Sequence, residues 1–248
     1  VGPLRAAHMG AKVALRGRVP SGVSLLSDAE PPIKLPTLKE RASLEARTAA
    51  YQEQLFSPEG AAHLDYLLSE RGLTEEWIKY FRLGAVLRPE GPDANGIGKI
   101  SIPYLRPKGP VAIRFRRGPG QDGGPKYYQP PGTKLGLFNT APIITAGDTV
   151  AVCEGEFDAM IATMCGIPTV GLPGVSSWKD HYYDIFQGFD KVLIMGDNDD
   201  KGQGSQFAEA IAAKVPGPEI KLMPEGFDVN DYFLKVGAAG LKSHLGIK

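Results

Sequence analysis

The sequence predicts an α/β protein, with a mostly parallel sheet flanked by helices and a smaller, basic α+β segment before it. Three observations carry this. After Thr145, short apolar strands alternate with helix-spaced apolar residues, the order that builds a parallel sheet covered on both faces. Two of those strands run into acids, in Glu154-Gly155-Glu156-Phe157-Asp158 and in Gly196-Asp197-Asn198-Asp199-Asp200. Upstream, Lys99 to Lys134 holds eight basic residues against one acid, while Glu154 to Asp200 holds nine acids against two lysines.

At 248 residues and 42% apolar content, the chain can build one large core or two small ones. Lys+Arg and Asp+Glu both number 28, so the zero net charge hides a basic segment beside an acidic one. That separation suits a protein that holds a polyanion near metal ions; two oppositely charged faces of one globule are the plainer alternative. Cys153 and Cys165 are the only cysteines and make no CxxC pair, so no zinc site is expected and both are read as reduced core residues. No apolar stretch reaches the roughly 20 residues needed to span a bilayer, and no signal-peptide pattern is present, so a cytoplasmic location is expected.

Residues 1–38, with Pro20, Pro31, Pro32 and Pro36 and little periodicity, read as a flexible arm or linker. Helical spacing begins near Leu38 with Leu44, Tyr51 and Leu55. Ser57-Pro58-Glu59 restarts it, with Ser57 as cap, and Leu64, Leu67 and Leu68 form a stripe closed by Gly72. Thr74-Glu75-Glu76 opens a third helix carrying Trp77, Ile78 and Phe81, with Gly84 as its stop. Ile100–Tyr104 and Val111–Arg116 alternate as strands, and the second places Arg114 and Arg116 on one face. Gly118-x-Gly120-x-x-Gly123 is rejected as a dinucleotide fingerprint because Pro119 interrupts it and no helix follows. Thr149–Cys153, Thr169–Leu172, Lys191–Met195 and Glu219–Met223 read as strands. Phe157/Ile161/Met164, Trp178–Phe186 and Phe207/Ile211/Val215 mark helices between them.

Open parallel sheets bind ligands outside the carboxyl ends of their strands. Glu154, Asp197 and Asp199 sit at such ends, and a third cluster, Asp228-Val229-Asn230-Asp231, follows the Glu219 strand. Gathered acids repel unless cations share them, and hard oxygen ligands point to magnesium or manganese rather than zinc. Each cluster also has a bland reading: turn chemistry for the Asp pair, dipole stabilisation for Asp158, and a helix cap, best supplied by Asp231. Glu156 reads as a solvated neighbour. Arg114, Arg116, Lys126 and Lys134, with Tyr127 and Tyr128 interleaved, are candidates to hold a phosphate backbone and stack bases, or else to protect an edge strand. No GxxxxGK[ST] occurs, and His8, His63, His181 and His244 are scattered.

The E-G-x-x-D strand end, the D-x-D strand end and Asp228-x-Asn230 resemble the Toprim fold of DnaG-type primases, topoisomerases and related nucleases. Leu64-Asp65-Tyr66-Leu67-Leu68-Ser69-Glu70-Arg71-Gly72-Leu73 and Phe81-Arg82-Leu83-Gly84 look like the N-terminal part of the DnaG primase catalytic core. Arg114-Phe115-Arg116 and Pro125-Lys126-Tyr127-Tyr128-Gln129 are similar to that family's basic template segment. The resemblance, over residues 60 to 235, implies a bacterial or phage primase catalytic core that makes RNA primers on single-stranded DNA from ribonucleoside triphosphates. It divides the chain into a basic subdomain over 39–145 and a Toprim domain over 146–248. Glu154, Asp197 and Asp199 are then catalytic; Glu154, Asp197, Asp199 and Asp228 hold two or more magnesium or manganese ions; Asp158 and Asn230 support them. Arg114, Arg116, Lys126, Tyr127 and Lys134 bind DNA or nucleotide. A monomer in a bacterial or phage-infected cytoplasm, served by a replicative helicase and a separate zinc module, is expected. A Toprim nuclease or topoisomerase-like enzyme and a non-catalytic recombination mediator are the alternatives. The chain departs from the family at Asn230, where an acid is commoner.

Overall fold

The computed structural model describes residues 36–198 and 202–247; of the arm expected over residues 1–38, residues 1–35 lie outside the described residues, as does Asp199, while Thr37 and Leu38 cap and begin the first helix. The first helix, α1 (Leu38–Leu55), starts in a capping box, with the Thr37 hydroxyl accepting from Glu40 N–H and the Glu40 carboxylate accepting from Thr37 N–H. Its Leu44, Tyr51 and Leu55 are buried, as their spacing predicts. Ser57 does not cap: its hydroxyl donates to the Gln54 carbonyl at 2.8 Å, and the chain passes through a 3-10 turn into α2 (Ala61–Asp65). One π turn (Tyr66–Glu70) follows, before α3 (Glu75–Tyr80), capped by Thr74. Helix α3 ends before Gly84, because Arg82 turns the chain at φ 53° and Gly84 opens β1 (Gly84–Ala85).

Strands β2 (Ile100–Arg106), β3 (Gly109–Arg116) and β4 (Tyr127–Tyr128) complete an antiparallel sheet in the order β1-β2-β3-β4. After α4 (Pro142–Thr145), strands β5 (Thr149–Cys153), β6 (Thr169–Gly171), β7 (Lys191–Gly196) and β8 (Pro218–Leu222) form a second sheet. Its order is β6-β5-β7-β8 and every pairing is parallel. Helices α5 (Glu156–Met164), α6 (Tyr182–Phe186), α7 (Gln203–Ala212) and α8 (Val229–Leu245) connect and cover it. Helix α6 is shorter than the predicted Trp178–Phe186 run. Trp178 is extended at ψ 140°, and its ring stacks on Phe186.

Alternation along the parallel strands divides the core. Ala151, Cys153, Leu193 and Met195 face one cluster with Phe157, Met160 and Ile161 of α5 and Val229, Leu241 and Leu245 of α8. Val150, Val152, Val192 and Ile194 face another with Phe186, Phe207 and Ile211. The first cluster also takes in Ile100, Ile102, Tyr104 and Ala112, so the antiparallel sheet packs into the core beneath α5. Both cysteines are buried and unbridged.

Candidate active site

Cys153 and Met195 lie in register on adjacent parallel strands, so Glu154 and Asp197, the next residues or nearly so, leave the sheet side by side at its carboxyl edge. Two glycines make this approach possible. A Cβ on Gly155 would overlap the Asp158 carboxylate, which folds back over the start of α5. A Cβ on Gly204 would overlap the backbone of Asp197, against which the first turn of α7 packs. The third cluster is brought in by Asn198, which nothing in the sequence alone marks out. Asn198 donates its side-chain amide to Met223 O at 3.0 Å, its N–H to Phe227 O at 3.1 Å, and accepts from Gly226 N–H at 2.8 Å. The loop after β8 is thereby tied to the end of β7.

Asp158 is buried, and its carboxyl is pushed well above the usual carboxylate range, first by burial and then by the negative charges of Asp228 and Asp197. One N–H, from Asn230 at 3.3 Å, opposes that rise, as does the charge of Arg116. Asp158, Asp197 and Asp228 therefore share one electrostatic field. Asp228, and not Asp231, caps α8, accepting from Asp231 N–H at 2.7 Å. Asp231 is exposed, and its carboxyl is raised by partial burial and by Asp228, against the lowering charges of Arg71, Lys126 and Arg116. Those three cations thus stand beside the acids. Asn230 is buried and held by Arg71, which donates to its side-chain oxygen at 3.0 Å and accepts from its amide at 2.8 Å. Arg71 also donates to the Tyr66 hydroxyl at 2.8 Å. In the sequence Arg71 stands out only as part of a longer stretch; its partner Asn230 lies far along the chain.

The basic face has less freedom than its sequence suggests. Glu156 is a correction: it is buried, not solvated, and its Oε1 accepts from Arg114 and from the Tyr104 hydroxyl, both at 2.6 Å. The Arg114 guanidinium lies 3.8 Å from the Tyr127 ring centroid. Arg116 is buried, donates to the Tyr127 hydroxyl at 2.8 Å, and sits over Phe157. Burial pushes the Tyr127 hydroxyl upward, so it stays a neutral donor and acceptor. Lys126 and Lys134 are exposed.

The donors on this edge are all carboxylates, the chemistry a hard divalent ion selects, and their mutual repulsion is what such an ion relieves. Among the described residues, no three acid, histidine or cysteine side chains converge as a ligand group. The ligand set is therefore matched in kind of donor, with Asp199 outside the described residues.

Residues 151–233 match the Toprim-like family model. The chain is 25% identical over 228 residues to a DNA primase of Halalkalibacterium halodurans, a match covering 76% of this chain and 38% of that primase. A solved DnaG primase catalytic domain bound to single-stranded DNA superposes with a TM-score of 0.65 at 19% identity, over 83% of this chain and 80% of that one. This is a protein with the fold of the DnaG primase catalytic core, carrying a Toprim-like domain. It belongs to the same family as the Gene 57 protein of Mycobacterium phage D29, to which it is 41% identical over 149 residues, spanning 58% of this chain and 95% of that protein. Among the described residues, no helix is long and apolar enough to cross a membrane.

Proposed function

We propose that the chain is the catalytic core of a DNA primase, a template-directed polymerase that joins ribonucleotides on single-stranded DNA. The observation that carries this is the meeting of three acid-bearing segments at the carboxyl edge of the parallel sheet: Glu154 and Asp197 follow adjacent strands, Asn198 ties the loop after β8 to the end of β7, and Asp158 accepts from Asn230 N–H in the first turn of the helix that Asp228 caps. Acids that repel one another next to cations make a place for both a metal ion and a polyanion. Glu154, Asp197, Asp228 and the sequence-assigned Asp199 would hold magnesium or manganese. When bound, these ions neutralise the triphosphate and lower the pKa of the attacking 3′-hydroxyl. Asp158 and Asn230 orient the first turn of α8, on which Asp228 stands. Lys126 and Lys134, exposed, track the template phosphates.

The test is incorporation of labelled ribonucleotide on unprimed single-stranded DNA, with and without magnesium or manganese. Metal-dependent products that vanish in Asp197→Ala are expected. Cleavage of the DNA with no incorporation would replace the primase reading with a Toprim nuclease. Binding without either reaction would favour a recombination mediator.

A further inference from the structure

Glu156 stands on the first turn of α5, two residues after Glu154 and two before Asp158, yet points away from the acid edge into the protein. Its partners come from the antiparallel sheet: Tyr104 on β2 and Arg114 on β3. The side chains are 17% exposed at Arg114 and 2% at Glu156. Both donors converge on Oε1, while Oε2 is buried with no hydrogen-bond partner. A buried ion pair of this kind fixes geometry more surely than it adds stability, because losing one partner strands the other charge in the interior. Arg114 is engaged on two sides, by the carboxylate and by the Tyr127 ring.

We infer that Glu156 is a positioning residue: through Arg114 and Tyr104 it locks the start of α5, and with it Glu154 and Asp158, to the basic antiparallel sheet, so that Arg114 acts as a structural cation and not as a ligand of nucleic-acid phosphate. The inference rests on the proposed function for what the edge binds, and it reassigns one residue expected from sequence to touch DNA.

The experiment uses the full chain and two readouts that do not depend on synthesis. One is the magnesium concentration that gives half of the metal-induced rise in melting temperature. The other is the salt slope of binding to a fluorescent single-stranded oligonucleotide. Glu156→Gln keeps a side-chain oxygen as acceptor for both donors and removes only the negative charge, so it is the mildest break of the pair, and its metal-free melting temperature checks that it folds. Glu156→Gln and Arg114→Ala should each raise the magnesium midpoint, by about tenfold, and the double variant should raise it no further. The salt slope should be unchanged in all three. If Arg114→Ala proves unstable, Tyr104→Phe, which removes a single hydroxyl, should show a smaller shift of the same kind. A slope that falls by about 0.7 in Arg114→Ala, the loss of one phosphate contact on a single strand, would overturn the assignment. So would magnesium midpoints that stay at the wild-type value, or effects that add in the double variant. If the wild type binds magnesium and DNA but makes no primers, the primase reading fails while these readouts still decide the role of Glu156.

Discussion

Arg71 and Asn230 grip each other twice, although they are 159 positions apart in sequence: the guanidinium donates to the Asn230 side-chain oxygen, and the Asn230 amide donates to the Arg71 carbonyl. The pair joins the turn after the π segment to the first turn of α8, beside the Asn230 N–H that reaches Asp158. A residue so used is a clamp, which explains why an uncharged amide suits a position where an acid would place a carboxylate against a carbonyl.

Asn230→Ala should therefore lower stability by about 1–3 kcal/mol, since it leaves the Arg71 carbonyl and guanidinium short of partners. Asn230→Asp should be no better, because it keeps the acceptor and loses the donor. Urea denaturation of the three proteins gives the comparison; a destabilisation below a few tenths of a kcal/mol in both variants would contradict the clamp.

Removing metal should matter through the acids. A divalent ion that binds the folded chain and not the unfolded one raises the melting temperature, and chelation reverses this. In Asp197→Ala the rise should largely vanish while the metal-free melting temperature stays near wild type or increases, because one repelling charge has gone. A full metal-induced rise in that variant would place the ions elsewhere.

DNA binding should fall on the exposed lysines. Lys126→Ala and Lys134→Ala should each weaken single-strand binding and reduce the salt slope by about 0.7. Anisotropy titrations across a range of salt concentrations provide the slopes, and an unchanged slope in the double variant would move the DNA to another face.

Asp93 is fully buried and holds two partners on α1, Arg47 and the Tyr51 hydroxyl. Asp93→Ala should cost about 3–5 kcal/mol, because the Arg47 charge is then buried alone, and Tyr51→Phe about 1 kcal/mol. Equilibrium unfolding with nearly equal losses in the two variants would show that the charge pair is not the dominant link.

Burial pushes the Cys165 thiol up to about 11, against a lowering by Lys242, and pushes the thiol of the buried Cys153 well above its usual range. Thiolate is the reactive form, so alkylation of native Cys165 should be slow at neutral pH and accelerate as pH rises toward 11, with Cys153 labelled only on unfolding. Mass spectrometry after timed iodoacetamide exposure reports both sites.

The sequence by itself determined the parts whose cause is local. Apolar strands of Val, Ile and Leu alternating with helix-spaced residues identify the parallel sheet, and the acids that end those strands identify its edge, because strand period and topology together send them to one side. Local capping is legible in part: Thr74 caps the helix it is expected to open, whereas Ser57 does not cap, Thr37 caps α1 unannounced, and Asp228 caps α8 in place of Asp231. What tertiary structure decided is which charges meet. Glu156, between two site acids, turns inward because residues 52 and 42 positions earlier, Tyr104 and Arg114, offer it donors inside the core. Arg71 and Asn198 join the site only through partners on other elements. A charged side chain goes where its desolvation is offset, and that depends on neighbours that only the folded chain brings within hydrogen-bonding distance.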